Sequence, residues 1–180
     1  MEAIYQWGQL GASDIAAWAV GLIGGYTFAQ PWAPHLALEL DMGSGDRQAG
    51  DGRVQTFNPL FPKGGYFNES GLTSWANLLL IRAGIGVQPL PALTVSLAVG
   101  ERWRETTGDA VYLQPYTVLA PTLGNRERRV GEVYQLDATW RVNRYLTLTA
   151  EALHQSAGPA IQAAGGRAVD FAMLIAQLRF

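Results

Sequence analysis

The residues best able to do chemistry in this sequence are charged side chains that recur at every second position of apolar stretches. Three arginines, Arg82, Arg102 and Arg104, lie in two such stretches that follow one another along the chain. A guanidinium group stays charged and pairs with a carboxylate through two parallel hydrogen bonds. The spacing therefore indicates a strip of positive charge along which carboxylate-bearing solutes could pass.

Further charged residues share the same alternation. The full set contains five arginines and four acidic residues: Arg82, Arg102, Arg104, Arg141, Arg179, Glu39, Asp41, Asp137 and Glu151. An alternative is that the arginines pair with the acids and fill an interior. A small closed barrel has room for little else inside, whereas a larger barrel encloses a water-filled channel and favours a role in passage.

Catalysis, cofactors and metals find little support in the residue types. The two histidines, His35 and His154, stand alone, with no serine or acid at a spacing that would orient a nucleophile. We therefore expect no catalytic residues, no enzymatic activity and no cofactor. Asp46 and Asp51 lie among glycines and could ligate calcium, but such clusters usually form turns, so we expect no metal site.

These charged residues sit on segments whose apolar residues alternate with polar ones, which is typical of β-strands with one apolar face. The eight segments are 4–10, 15–28, 35–42, 77–88, 93–104, 132–142, 146–155 and 169–180. The uncharged run 15–34 is long enough for a membrane-spanning helix. However, its bulky residues alternate, and glycines and prolines interrupt it, which favours a strand. The pattern predicts an all-β protein of about eight antiparallel strands.

Composition limits the class of protein further. Only 16 % of the residues are charged and 48 % are hydrophobic, against about 25 % charged in soluble domains. The net charge of −2 gives no basic field, so we expect no nucleic-acid partner. There is no cysteine, which excludes disulfides. The start of the chain has no signal-peptide pattern, so we expect a mature form or a fragment if the protein is exported.

The apolar faces could point into the core of a soluble, lipocalin-like binding barrel or outward to lipid. Aromatic residues of the apolar parity cluster at segment ends, as in the girdles of outer-membrane barrels: Trp18, Tyr26, Phe28, Trp103, Trp140 and Phe180. Short and long connections also alternate, as they do in such barrels. The sequence therefore predicts a transmembrane, up-and-down antiparallel β-barrel in the outer membrane of a Gram-negative bacterium. Its expected partners are membrane lipid and, through the terminal Phe180, the barrel-insertion machinery.

The connection 43–75 is predicted to be a long external loop, and its aromatic residues make it too apolar to extend freely into water. The four aromatic residues are Phe57, Phe61, Tyr66 and Phe67. We expect them either to fold inward over the mouth as a constriction or to pack only on one another.

The most distinctive stretch, residues 44–70, reads SGDRQAGDGRVQTFNPLFPKGGYFNES. It resembles the corresponding loop of the alginate-export family of outer-membrane barrels, and the resemblance continues to the terminal Phe180. What the resemblance implies is passage of an anionic, alginate-like polysaccharide or of small anionic solutes. Family members form larger barrels, so residues 1–180 are expected to be a single domain that forms the C-terminal portion of one.

Overall fold

The structure is a computed structural model that describes residues 1–61 and 65–180, and it is dominated by β-strands. In chain order the strands are β1 (Glu2–Leu10), β2 (Ser13–Thr27), β3 (His35–Gly43), β4 (Arg53–Val54), β5 (Leu78–Leu90), β6 (Leu93–Trp103), β7 (Val111–Leu113), β8 (Thr117–Leu119), β9 (Arg129–Arg141), β10 (Leu146–Gln155) and β11 (Val169–Leu178). A 3₁₀-helix spans Ala120–Thr122, and a short helix, α1, spans Pro159–Ala163. All eight predicted strands are confirmed, with ends that shift by three residues or fewer. The uncharged run that could have been a helix forms most of β2.

The eight long strands form one antiparallel sheet in the order β1-β2-β3-β5-β6-β9-β10-β11. Each long strand thus pairs with the next one along the chain, which is the predicted up-and-down arrangement. The two-residue β4 pairs in parallel with the start of β2, while β7 and β8 form a separate small hairpin. In the part of the chain that the structure describes, no helix is long and apolar enough to cross a membrane.

The sheet does not close on itself. Within the described residues, β1 pairs only with β2 and β11 pairs only with β10. The expected alternative of a closed eight-stranded barrel is therefore wrong for this chain. The physical reason is that the inner face is packed with long-loop residues such as Phe67 and Trp75, and a barrel of eight strands encloses no room for them.

The two faces of the sheet differ in polarity and in exposure. The outer face carries large apolar side chains that are 43–50 % exposed: Leu36, Leu38, Ile81, Ile85, Leu97, Val99, Tyr134, Leu136 and Trp140. The inner face carries the predicted polar parity. Near the short connections it is rich in hydroxyl groups, including those of Thr94, Thr139 and Thr149, which face one another across neighbouring strands.

The packed core lies between the inner face and the long loops, at the end of the sheet where those loops emerge. Its largest cluster joins Phe67 of the first long loop to Leu78, Leu80, Val133 and Leu153 of the sheet. Two smaller clusters pack Phe57 on Ala17 and Ala19, and Tyr112 on Ala76 and Ala110. The loops are thus part of the folded layer and not free excursions from it.

Candidate functional site

The candidate site is the inner face together with the loop that covers it, which we call the covering segment (residues 44–61 and 65–77). The segment returns very close to β3 at Gly43. A Cβ atom there would lie 1.8 Å from the carbonyl oxygen of Trp75, so only glycine permits this approach.

Arg82 is the centre of the polar contacts on the inner face. The strand register sets Glu39 of β3 directly opposite Arg82 of β5. Arg82 Nε donates to Glu39 Oε2 at 2.7 Å, and Arg82 Nη1 donates to the Phe67 carbonyl at 2.7 Å and to Gln135 Oε1 at 3.0 Å. One guanidinium group therefore links β3, β5, β9 and the covering segment.

Gln135 and Glu151 continue this network across the sheet. Gln135 Nε2 donates to both carboxylate oxygens of Asp137, at 3.1 and 3.0 Å, and lies 3.4 Å from Glu151 Oε2. Glu151 also accepts the backbone N–H of Glu69 at 3.1 Å. The carboxylate of Glu151 therefore holds the covering segment to β10.

Asp41 and Tyr66 form a third tie between the sheet and the covering segment. Tyr66 donates its hydroxyl hydrogen to Asp41 Oδ1 at 3.2 Å. Burial, followed by the nearby Asp41 and Glu39 carboxylates, raises the pKa of Tyr66 above its usual value. Asp41 is completely buried, and its Oδ2 has no hydrogen-bond partner among the described residues.

The two other arginines of the predicted strip lie under the loops. Arg102, 4 % exposed, donates to Thr73 Oγ1 at 3.0 Å and to the Leu72 carbonyl at 3.3 Å. Arg104 is fully buried and donates to the carbonyl groups of four residues: Asp109, Thr122, Asn125 and Glu127. Burial lowers the pKa of Arg104, opposed by the charges of Asp109 and Glu127. Both guanidinium groups therefore hold loop backbone in place.

Asp109 lies in the second long loop, which connects β6 to β9, and it joins this loop to the covering segment. Its Oδ2 accepts the backbone N–H of Asp46 at 2.9 Å and the hydroxyl of Thr56, while its Oδ1 accepts the hydroxyl of Tyr112 at 2.8 Å. Asn77 forms a second link, because its Nδ2 donates to the carbonyls of Thr106 and Ala110. These hydrogen bonds therefore join the two long loops into one layer at the end of the sheet where the loops emerge.

The remaining members of the predicted arginine set lie apart from this network. Arg141 and Arg179 are exposed at the end of the sheet that carries the short connections. The structure thus divides the five predicted arginines into a central Arg82, two loop-bound arginines and two exposed ones. A role for any of the nine predicted residues in solute passage remains a prediction.

Three of the four predicted constriction residues fold inward. Phe57 and Phe67 are buried and Tyr66 is half-buried, whereas Phe61 is 95 % exposed. The rings of Tyr66, Phe67 and Trp75 form a cluster with centroids 4.9–5.4 Å apart. The aromatic residues therefore pack both on one another and on the sheet, and their role as a constriction stays a prediction.

The surroundings of the two histidines and of Asp46 and Asp51 give no further support for catalysis or for metal binding. His35 Nδ1 is hydrogen-bonded to Thr27, and His154 Nδ1 lies 2.7 Å from Asp170 on the outer face. The Asp46 and Asp51 carboxylates accept N–H groups two residues ahead, as in simple turns. Among residues 1–61 and 65–180 no group of three or more potential ligands is arranged to hold a metal ion.

Several important residues could not be identified from the sequence. Gln135, Asp109 and Asn77 carry the polar network, but each makes at least one of its contacts with a residue that lies far away along the chain. Contacts between consecutive long strands, such as that of His154 with Asp170, are easier to anticipate, because strand alternation places the two residues on the same face of the sheet.

Comparison with known proteins identifies the family of this chain. The sequence profile of the family described as "Alginate export" matches residues 1–174, and the chain belongs to that family. It is an export family and not an enzyme family, and its members are typically outer-membrane proteins. A search of curated proteins finds no match to this chain.

Proposed function

We propose that this chain forms part of the wall of an outer-membrane passage for polysaccharide, with the covering segment as its constriction. The observation that carries the proposal is the distribution of polarity. The outer face of the sheet is apolar and open to its surroundings, while the charged side chains of the inner face near the long loops lie beneath those loops.

The outer face supports membrane insertion. A row of leucine, isoleucine and valine side chains exposed to water would be unfavourable, at roughly 25 cal/mol per Å² of apolar surface. Contact with hydrocarbon removes that cost. Large rings at the ends of the strands support the same orientation: Tyr26, Phe28 and Trp140 lie near the short connections, and all three are more than one-third exposed.

The unpaired edges support a larger assembly. In hydrocarbon, each unpaired N–H or C=O group of β1 and β11 would cost several kcal/mol, because no water is present to bind it. Further strands, whether from the same protein or from another chain, must therefore cover both edges. This agrees with the expectation that residues 1–180 are a portion of a larger barrel.

The alternative of a soluble, lipocalin-like binding barrel fits less well. Such a barrel would bury its leucines in an apolar interior. Here Leu36 and Leu38 point away from the packed core, and the face that is covered carries Glu39, Asp41 and Arg82. The membrane orientation explains both facts.

The proposed cargo is an anionic polysaccharide or small anionic solutes, as the sequence resemblance implies, and membership of an export family supports it. On the inner face, Arg141 and Arg179 are exposed cations that could meet such a solute, whereas Arg102 and Arg104 are occupied by loop carbonyls. The rest of the pathway is proposed to run along the inner face and past the covering segment.

Planar-bilayer recording on the native protein tests the proposal. Replacing Glu151 by Ala removes the acceptor that binds the Glu69 N–H, so the E151A variant is expected to open more often or to conduct more than the native protein. Asp170→Ala, on the outer face, is the matched control and should leave conductance unchanged. The proposal would be contradicted if the native protein were absent from the outer-membrane fraction. It would also be contradicted if neither the native protein nor the E151A variant conducted.

A further inference from the structure

We infer that Glu39 and Asp41 hold one proton between them in the neutral pH range, and that this proton keeps the covering segment closed over the inner face. Both side chains belong to β3 and lie two residues apart, so they share the inner face of the sheet. The presence of the proton does not depend on the proposed function. Its effect on the constriction does rest on that function, because it concerns the opening of the same passage.

The two carboxyl groups lie in hydrogen-bonding contact with each other. Asp41 is completely buried and Glu39 is 6 % exposed. An ionised carboxylate accepts hydrogen bonds and donates none, so two ionised groups in contact would repel each other with no hydrogen between them. A carboxyl group that keeps its proton becomes a donor, and the same contact is then a hydrogen bond.

The partners of the four carboxyl oxygens show where the proton belongs. Glu39 Oε2 accepts from Arg82 Nε at 2.7 Å, and Asp41 Oδ1 accepts from the Tyr66 hydroxyl at 3.2 Å. The other two oxygens, Glu39 Oε1 and Asp41 Oδ2, are buried and have no donor in the part of the chain that the structure describes. A proton on Asp41 Oδ2 that is donated to Glu39 Oε1 satisfies both atoms at once.

The strand register favours Asp41 as the member that carries the proton. Glu39 lies opposite Arg82, a cation, whereas Asp41 lies between Gly21 of β2 and Leu80 of β5. Burial between two uncharged strand neighbours strongly penalises an ionised carboxylate. The proton therefore stays on Asp41, while Glu39 remains ionised beside Arg82.

The other charged and titratable groups around the pair come from several elements. In the described part of the chain they are Glu2 of β1, Arg82 of β5, Tyr66 of the covering segment, and Asp137 of β9 and Glu151 of β10, which are reached through Gln135. The carboxylates favour retention of the proton and Arg82 opposes it. Lys63 lies outside the described residues, and the experiment therefore includes a variant of it.

The protonated pair lies in the middle of a chain of hydrogen bonds that begins and ends on the covering segment. The chain starts at the Tyr66 hydroxyl and passes through Asp41 to Glu39. It continues through Arg82, whose Nη1 donates to the Phe67 carbonyl at 2.7 Å. Loss of the proton would place two buried anions against each other in this chain. The covering segment should therefore be released as the pH rises.

The effect of pH on stability has a definite sign. In the unfolded chain an aspartate loses its proton near about pH 4, whereas the folded protein keeps the proton on Asp41 into the neutral range. Between these limits the folded state binds one proton more than the unfolded state. The equilibrium constant for unfolding should therefore rise by about tenfold per pH unit from this group alone.

Infrared spectroscopy of the native protein in detergent tests the proton directly. A protonated carboxyl group has a carbonyl stretch that ionised carboxylates lack, and at about pH 7 exposed carboxyl groups are ionised. We expect this band in the native protein and its loss in Asp41→Asn, whose amide still donates toward Glu39 and so preserves the fold. Asp170→Asn, on the outer face, is the matched control and should keep the band. Lys63→Gln should keep it as well.

Urea titration in detergent gives a second readout. Between about pH 5 and pH 7, the unfolding equilibrium constant of the native protein should rise about tenfold more per pH unit than that of Asp41→Asn. In planar bilayers, raising the pH further should increase the open fraction of the native protein and leave that of Asp41→Asn unchanged.

Absence of the band from the native protein, its persistence at full intensity in Asp41→Asn, or equal pH dependence of the two proteins would overturn the inference. Stabilisation by calcium chloride that EDTA reverses and Asp41→Asn abolishes would also overturn it, because a metal ion would then occupy the pair. A protein that shows the band but never conducts contradicts only the proposed passage. A protein that conducts without the band contradicts only the shared proton.

Discussion

Tyr66 donates a hydrogen bond to Asp41 across 3.2 Å, and this contact joins the covering segment to the middle of β3. The two residues are 25 positions apart, and the acceptor is completely buried. Buried polar groups are expensive to leave unpaired. The contact of the covering segment with β3 should therefore contribute to the free energy of unfolding of the protein.

Replacing Tyr66 by Phe tests that coupling. The change removes one donor and leaves both oxygens of Asp41 without a hydrogen bond from the covering segment, so the free energy of unfolding should fall by about 1–3 kcal/mol. Urea titration of the refolded protein in detergent measures the change. Tyr5→Phe, on an exposed ring of β1, is the control, and equal stability of the two variants would contradict the account.

The ion pair between Arg82 and Glu39 gives a second prediction. Arg82→Ala leaves Glu39, which is 6 % exposed, as a buried charge without its partner, which should cost about 3–5 kcal/mol. The double variant Arg82→Met with Glu39→Gln removes both charges and should recover most of the lost stability. If the double variant is as unstable as Arg82→Ala, the pair is not the source of the effect.

The link between the long loops predicts a change in proteolysis. Asp109→Ala removes the acceptor for Thr56, Tyr112 and the backbone N–H of Asp46. The covering segment should then open more often, and trypsin should cleave faster after the exposed Arg47 and Arg53. An unchanged cleavage rate, relative to an Asp170→Asn control, would show that Asp109 does not hold the loops together.

The tyrosines of the second long loop predict a loss of stability in alkali. Burial, with the nearby Asp109 carboxylate, raises the pKa of both Tyr112 and Tyr116. In the unfolded chain both lose their protons near pH 10. Above that pH the unfolded state binds fewer protons than the folded state, so the free energy of unfolding falls as the pH rises. Below pH 10 the contribution is fully present.

Denaturant titration between pH 8 and pH 11 measures this slope. The double variant Tyr112→Phe with Tyr116→Phe should show a smaller loss over that range than the native protein. Parallel pH profiles for the two proteins would mean that these rings are not shielded in the folded state.

The strands could be predicted from the sequence because the information is local. Alternation within β3 or β6 fixes which side chains share a face, whatever the rest of the chain does. The Gly- and Asp-rich loops were correctly assigned as connections for the same reason. Where a short turn joins two strands, as between β5 and β6, the turn also limits their register.

The specific contacts that hold the loops against the sheet, and the open edges, could not be predicted in the same way. Contacts such as Thr56 with Asp109 join residues 53 positions apart, and nothing in the local pattern of either residue specifies the other. Likewise, the alternation of β1 and β11 is the same whether or not they pair. The alternation also assigned Arg102 to the inner face. It did not reveal that the guanidinium group of Arg102 would donate hydrogen bonds to Leu72 and Thr73 of the covering segment.

The orientation of the two faces in the membrane is the central claim, and electron paramagnetic resonance tests it most directly. The chain has no cysteine, so a single cysteine can be introduced at each chosen position and spin-labelled. Labels at Leu36, Ile85 and Leu136 in proteoliposomes should be relaxed by dissolved oxygen, and labels at Thr139 and Thr149 by a water-soluble nickel reagent. Relaxation of the Leu36, Ile85 and Leu136 labels by the nickel reagent, or of the threonine-site labels by oxygen, would contradict the account.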